Sequence, residues 1–228
     1  MTVDLLLPLF SEDYESGIDP FDPDEPASAE ISFTFDDEAP TTGGFDTGDT
    51  AGSDFAGAVS GYSIVIRDTD DTSGNTIATL SASGGGVADL FTGNNALSAL
   101  GLTDFILFTA DPAEADVATG AFSTIDFVSL VAVFPTDTFA TTSLDIVTQA
   151  SFDQALLLPN PSLEGEDVPA LSLDLSRTVL TPVNGSLEID FDTALFGNDN
   201  PVAVPLPPGA ALLVAGLCGL IVIRRREA

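Results

Sequence analysis

The chain contains very few basic or sulfur-containing side chains, and it has no tryptophan. Its 228 residues include five Lys and Arg residues, no His, one Cys and no Trp. All five basic residues are arginines, so the usual Ser–His, Cys–His and Lys-based nucleophilic systems have no base or nucleophile to draw on. Zinc sites built from His and Cys are excluded for the same reason. We therefore expect a non-enzymatic protein, with paired carboxylates the one catalytic chemistry that the composition allows.

The only cysteine, Cys218, lies in an apolar segment near the C-terminus, so no intrachain disulfide can form. Its position fits a small apolar packing residue. Tyr14 and Tyr62 are the only tyrosines, and with Trp absent the common sugar-stacking platforms are scarce. This scarcity disfavours a lectin.

Acidic residues dominate what is present. The chain has 36 Asp and Glu residues and a formal net charge of −31, and only Arg67 and Arg177 are basic before the last five residues. The negative electrostatic potential around such a chain repels nucleic acid and anionic lipid and attracts cations. Solvation in a saline habitat explains the same charge without any ligand, so both interpretations stay open.

The last two dozen residues indicate a membrane segment. Residues 209–223 carry no charge, and the apolar span counted from Leu206 covers about 27 Å of a bilayer core about 30 Å thick. Three arginines follow, Arg224, Arg225 and Arg226, and the positive-inside rule places them in the cytoplasm. The sequence thus predicts an exported chain with a C-terminal transmembrane helix; a buried core helix is the alternative.

This tail resembles a known sorting signal. Val204-Pro205-Leu206-Pro207, the short apolar helix and the arginine triplet are similar to the VPLPA-CTERM tail, a variant of the PEP-CTERM signal of Gram-negative bacteria, with Pro208 where the family has Ala. The resemblance implies that an exosortase is a partner and cuts near the proline motif. It also implies delivery to the cell surface or extracellular matrix, and it leaves the activity of the preceding domain open.

The N-terminus does not match an export signal. Residues 1–10 contain Asp4 and Pro8 and no basic residue, whereas a signal peptide has a basic start and a longer apolar core. We hypothesise that the true start lies upstream, which a stop codon close before Met1 would contradict. Residues 1–29 as a whole are expected to form an acidic, Pro-rich, disordered segment.

Short alternating segments then predict an all-β domain. Residues 31–35, 59–67, 76–81, 171–175 and 187–191 alternate apolar and polar positions, and residues 105–108 form a compact apolar strand. Weaker signals suggest a strand at 144–147, a short helix at 95–100, a long loop at 36–56 and a final hairpin at Asn184-Gly185. The predicted organisation is a single antiparallel, jelly-roll-like β-sandwich over residues 30–195, a linker over 196–208, a transmembrane helix over 209–223 and a basic tail over 224–228.

One loop has the composition of a weak calcium site. Asp68, Asp70 and Asp71 lie between two predicted strands, where carboxylates and Thr or Asn oxygens are plentiful. The spacing departs from an EF-hand, and an Asx-stabilised turn explains the same residues. A second, looser group is Asp46, Asp49 and Asp54.

Three functions remain open on the sequence. The first is a non-enzymatic structural protein of the cell surface or exopolysaccharide matrix. The second is a calcium-dependent adhesin or carbohydrate-binding protein, and the third is a secreted glycoside hydrolase. Nucleic acid is excluded as a partner, and extracellular polysaccharide and the membrane are the expected ones.

Overall fold

The computed structural model describes residues 1–8, 27–68, 76–96, 103–158, 170–183 and 186–197. The predicted linker, membrane segment and basic tail, together with most of the predicted calcium loop, lie outside these ranges. Within them the chain is mostly β-structure, with one short α-helix.

Ten strands and one helix make up the described chain. The helix, α1, covers Gln149–Leu157, and short 3₁₀ helices cover Pro112–Glu114, Gly120–Thr124 and Leu144–Ile146. The strands are β1 Thr2–Pro8, β2 Ala27–Phe35, β3 Gly43–Asp46, β4 Ala51–Asp68, β5 Thr76–Asn94, β6 Asp104–Ala110, β7 Val117–Thr119, β8 Phe127–Phe134, β9 Leu171–Val183 and β10 Ser186–Gly197.

All ten strands belong to one antiparallel sheet. Its order is β1-β2-β4-β5-β6-β8-β9-β10, with β3 added to β4 and β7 added to β5. The expected antiparallel all-β class is confirmed. The arrangement differs from the expected two-sheet sandwich, because neighbours along the chain are neighbours in one continuous sheet, as in a meander.

The sheet curls back on itself almost to closure. Phe33 on β2 and Phe108 on β6 are separated by two strands, a span of about 14 Å in a flat sheet, yet their ring centroids lie 5.2 Å apart. Their contact is possible only across the inside of a strongly curved sheet. The two ends of the sheet, β1 and β10, also come into contact.

One face of the sheet forms the core inside this curve. Strands β1, β2 and β6 alternate buried and more exposed residues along their whole length, as a half-buried strand requires. Helix α1 enters the same interior, where the ring of Phe152 meets that of Phe33 edge-on at 5.7 Å. On its outer side, Gln149 exchanges two hydrogen bonds with the backbone of Asp4 on β1, at 2.8 and 2.9 Å.

Irregularities in the two longest strands help the sheet to bend. The pairing of β4 with β5 shifts between Phe55 and Val59 and again between Val59 and Gly61. In the second shift β5 carries the extra residues, which include the glycines at 84–86. Bulges of this kind bend and twist a strand, so these positions mark the sharpest turn of the sheet.

Several elements differ from the sequence predictions. Thr2–Pro8 is a strand of the sheet and not part of a disordered segment, and the expected loop at 36–56 contains the hairpin of β3 with the start of β4. The weak strand expected at 144–147 is a 3₁₀ turn, and α1 was not expected. By contrast, the final hairpin is confirmed, since Val183 pairs with Ser186 across residues 184 and 185.

Candidate functional site

An acidic cleft lies where β6 ends and β8 begins, beside the irregular middle part of β5. Asp89 on β5 pairs with Thr109 on β6, and Ala110 on β6 pairs with Val128 on β8. The residues next to these pairs enclose a cavity of about 270 Å³. Its lining consists of Gly86, Val87, Ala88, Asp89, Thr109, Ala110, Asp111, Glu114, Asp126 and Phe127.

Asp89 is fixed by the bend in the sheet. Its Oδ1 accepts a 2.6 Å hydrogen bond from the backbone N–H of Gly57. Gly57 has a φ of +67°, and a Cβ on it would lie 3.1 Å from the Cα of Gly86. The strands approach closely here because both positions are glycine, and the Asp89 carboxylate closes the gap that the irregular pairing leaves.

The second wall of the cleft is the turn after β6. Asp111 caps the 3₁₀ helix Pro112–Glu114, with its Oδ1 accepting from the N–H of Ala113 at 2.9 Å. Asp116 then ties the turn to β5, because its Oδ2 accepts from both the N–H and the hydroxyl of Ser83 at 2.7 Å. These bonds hold the turn in place and leave Glu114 exposed at the cleft.

Tyr62 lies in the core beneath this wall. The residue is only 4% exposed, and its ring packs edge-on against Phe108 with a centroid distance of 5.6 Å. Its hydroxyl is buried and makes no hydrogen bond. Burial raises the pKa of Tyr62, and the carboxylates of Asp111, Glu114 and Asp116 raise it further. The raised pKa keeps this hydroxyl protonated at neutral pH.

The third side of the cleft combines a carboxylate with an exposed ring. Asp126 is anchored through its backbone N–H, which donates to the carbonyl of Ser176 at 2.9 Å. The next residue, Phe127, begins β8 and is 45% exposed. The cleft thus offers four carboxylates, one hydroxyl from Thr109 and an aromatic surface.

Only one of the three predicted calcium residues, Asp68, lies in the part of the chain that the structure describes. Asp68 ends β4, opposite Ala27 on β2, while Asp70 and Asp71 lie outside the described residues. The calcium site therefore stays a prediction. In the ranges that the structure covers, no three Asp, Glu, His or Cys side chains are grouped closely enough to share a metal ion.

The second predicted group is not brought together. Asp46 and Asp49 lie at the tip of the β3–β4 hairpin, where Asp46 Oδ1 accepts from the N–H of Gly48 at 2.8 Å. Asp54 pairs with Gly43, three positions along the same hairpin, which is about 10 Å from the tip. The Asp46 side chain thus forms an Asx turn at the tip of this hairpin.

A buried carboxylate that the sequence did not indicate holds the opposite end of β6. Asp104 is 0% exposed, and it accepts from the backbone N–H of Asn95 at 2.8 Å and of Phe139 at 2.7 Å. Asn95 and Asp137 add two side-chain bonds between the same segments. Both of these residues have positive φ, 51° and 62°, which Asn and Asp tolerate best among non-glycine residues.

Comparison of the chain with protein-family models, with curated proteins and with solved structures found no match. In the part of the chain that the structure describes, no helix has the length and apolar character needed to span a membrane. The predicted span at 209–223 is outside that part.

Proposed function

We propose that the protein is an exported structural component of the cell surface or extracellular matrix, delivered by its C-terminal tail. The observation that carries this proposal is the order of three features in the sequence: Val204 to Pro208, the uncharged span 209–223 and the arginines 224–226. By resemblance, an exosortase recognises this tail, and residues 209–223 form a transmembrane helix before processing. The ectodomain is the antiparallel sheet described above.

The composition supports a role without catalysis. The chain has neither His nor Lys, and its one Cys lies in the proposed membrane span. A net charge of −31 keeps such a domain soluble and separated from other acidic surfaces. These properties suit a component that is displayed in quantity on a surface or embedded in a hydrated polymer.

The test compares the mature C-terminus in cells with and without the exosortase, by mass spectrometry of surface and membrane fractions. We expect a product that ends near residues 205–208 and that disappears when the enzyme is deleted. A tail that ends at Ala228 in both strains would contradict the sorting proposal and leave only a membrane anchor. Pro208→Ala is the matched control variant, because it converts residues 204–208 to the motif that is usual in the family.

A binding function is the second candidate, and the acidic cleft favours it. A surface protein with an open cleft of about 270 Å³ can act as an adhesin or carbohydrate-binding module, with or without calcium. Calorimetry with calcium, followed by chelation, tests the calcium-dependent form: absence of both heat and a change in melting temperature would contradict it. A glycoside hydrolase is the least favoured alternative, and loss of activity on neutralising a single carboxylate would identify it.

A further inference from the structure

The sheet carries a second apolar surface on its outer face, the face that points away from the core. Strand β6 alternates along its whole length, with Ile106 buried in the core and Phe105 and Leu107 half-buried on the outer face. Leu107 pairs with Phe91 on β5 and with Val131 on β8, which places the three side chains next to one another on this face. The four outer side chains do not belong to the cluster that forms the core.

Two glycines form the middle of this outer face. Ser53 on β4 and Thr92 on β5 both bond to Thr142, at 2.6 and 2.5 Å, and each lies two positions from a core residue of its strand. Successive residues of a strand point to opposite faces, so the neighbouring Gly52 and Gly93 face outward, where they pair with each other. The outer face is therefore level with the backbone at this place.

Two phenylalanine rings lie over these glycines. Phe45 on β3 pairs with Gly52, and its Cε1 lies 2.6 Å from the position that a Cβ on Gly52 would take. Phe105 on β6 pairs with Gly93, and its ring occupies the space above that residue in the same way. The four residues form one row across four strands, about 14 Å wide. Both rings thus lie against the backbone, and Phe45 remains 51% exposed.

The area of this surface argues against a protein partner. The outer platform, formed by Phe45, Phe91, Phe105 and Leu107, extends about 14 Å across the strands and about 7 Å along them, or roughly 100 Å² between backbone positions. A stable protein interface buries about 800 Å² on each partner. The outer platform is only a fraction of such an interface, and it suits a narrow ligand that lies along the row of rings.

Charge disfavours several other classes of ligand. The chain has a net charge of −31, which repels a second copy, nucleic acid and anionic lipid. The side chains of the outer platform are all uncharged, so they offer no ion pair to a cationic ligand. An uncharged ligand meets neither obstacle.

Sugar rings match this description. One face of a sugar ring is lined by C–H groups, which carry partial positive charge and pack on the negative face of an aromatic ring. The hydroxyls at the edge of the sugar need acceptors. Asp54 pairs with Phe91 on the outer face, and its carboxylate is an acceptor that suits hydroxyl donors. The scarcity of Trp and Tyr does not prevent stacking, because phenylalanine can supply the rings.

We propose that the outer platform binds an uncharged polysaccharide, with sugar rings stacked on Phe45 and Phe105 and a sugar hydroxyl bonded to Asp54. Repeated sugar units add contacts along one strip, so a polymer binds more tightly than a single sugar. The inference rests on the binding candidate described above and gives it a site other than the acidic cleft. It does not depend on the sorting tail, and binding by the purified chain can be measured whether or not the tail is processed.

Native affinity electrophoresis of the full-length chain in mild detergent tests the proposal. The gels contain xyloglucan, galactomannan or mixed-linkage β-glucan as uncharged probes, and alginate as the anionic control. We expect at least one uncharged polysaccharide to slow the chain, alginate to leave its migration unchanged, and added salt to have little effect on the retardation. Unchanged migration in all three uncharged gels, or equal retardation by alginate, would refute the proposal.

Two variants with the same change locate the binding. Phe45→Ala removes an exposed ring from the outer platform and should weaken binding by about tenfold. Phe127→Ala removes a ring that is 45% exposed at the start of β8, beside the acidic cleft, and should change binding by less than about twofold. Melting temperatures verify that both variants are folded. Equal weakening by the two variants would remove the binding from the outer platform.

Gly52→Ala tests the position of the ring separately from its presence. The variant keeps both rings, but its Cβ would lie 2.6 Å from Cε1 of Phe45, so the ring must move off the backbone. We expect binding to weaken by about twofold to tenfold. Gly85→Ala is the control, because its Cβ meets no atom within 4 Å, and it should bind like the unmodified chain. Full binding by Gly52→Ala would contradict stacking on a ring held against the sheet.

Discussion

Replacing Asp104 by Asn should loosen one end of the sheet and destabilise the whole domain. Asp104 is completely buried, and each of its carboxylate oxygens accepts one backbone N–H, from Asn95 and from Phe139. An Asn side chain keeps one acceptor oxygen and presents an NH₂ group in place of the other. One of the two backbone N–H groups then faces a donor and loses its partner.

The size of the effect follows from these two bonds. A hydrogen bond to an ionised group contributes about 1.5–3 kcal/mol, and a buried donor left without a partner costs a similar amount. Because one bond is lost and one is retained in weaker, neutral form, we expect Asp104→Asn to lower the free energy of unfolding by about 3 kcal/mol. That is a large part of the about 5–15 kcal/mol typical of a domain.

Urea denaturation measures the overall loss, and hydrogen exchange of the Asn95 and Phe139 amides locates it. Asp49→Asn is the control, because Asp49 is exposed at the tip of the β3–β4 hairpin and its neutralisation changes the net charge equally. In a chain of charge −31 the control should be neutral or slightly stabilising. Equal stability of the two variants, or unchanged protection of both amides, would refute the assignment of Asp104 as the residue that joins these segments.

Three further perturbations test the packing and the charge. Gly120→Ala should lower the free energy of unfolding by about 2 kcal/mol or more, because φ is +66° and the added Cβ would lie 2.3 Å from the Ile77 carbonyl oxygen. Gly85→Ala is the control, since its Cβ meets no atom within 4 Å, and chemical denaturation compares the two variants. Phe152→Ala should lower the free energy of unfolding by about 3–5 kcal/mol and weaken the near-ultraviolet circular dichroism, because the ring is fully buried. Unchanged values of both would contradict the packing of α1 into the core. Burial raises the pKa of Asp174, so this carboxylate binds a proton more tightly in the folded protein than in the unfolded chain. The free energy of unfolding therefore falls as the pH rises from the unfolded-state pKa through the folded-state pKa. Asp174→Asn should therefore raise the melting temperature at neutral pH and lose this advantage below about pH 4, and the opposite sign would contradict the burial of this carboxylate.

The β-class was predictable because most strands carry their own periodicity. Residues 31–35 alternate in the sequence, and in the structure Ile31, Phe33 and Phe35 are buried on one face, as alternation requires. The final hairpin was predictable for a local reason as well, since Asn-Gly fits a two-residue turn whatever the rest of the chain does. Local signals of this kind can be recognised in the sequence without knowledge of the tertiary structure.

Elements that depend on distant partners were missed. Thr2–Pro8 resembles neither a signal peptide nor a typical strand, yet its alternation of Val3, Leu5 and Leu7 is buried once β2 pairs beside it. Helix α1 has only a weak amphipathic pattern, and it is held by Phe152 in the core and by Gln149 on the β1 backbone. The strand that stabilises β1 lies about 20–32 residues further along the chain, and the contacts of α1 with Asp4 and Phe33 span more than a hundred residues.

The distinction between a sandwich and one curled sheet depended on strand pairing, which periodicity does not encode. Both architectures give short strands with one buried face, so residues 30–195 fitted either. What distinguishes them here is the irregular pairing of β4 and β5, with the glycines at 84–86. Glycine within a strand often marks a bulge or a close backbone approach, but the sequence does not show which strand pairs with the glycines at 84–86.

The same bend explains why the acidic cleft escaped sequence reasoning and why it forms at this place. Asp89, Asp111 and Asp126 are spread over almost forty residues and share no motif. They meet because β5, β6 and β8 are neighbours in the sheet and because the irregular stretch at 55–61 turns β4 and β5 sharply beside them. Asp89 satisfies a backbone N–H that this bend leaves outside the ladder, and the Asp111 side chain caps the turn that follows β6. Two of the carboxylates are thus required by the fold itself, and the negative charge that they concentrate beside Glu114 is a consequence of how the sheet closes.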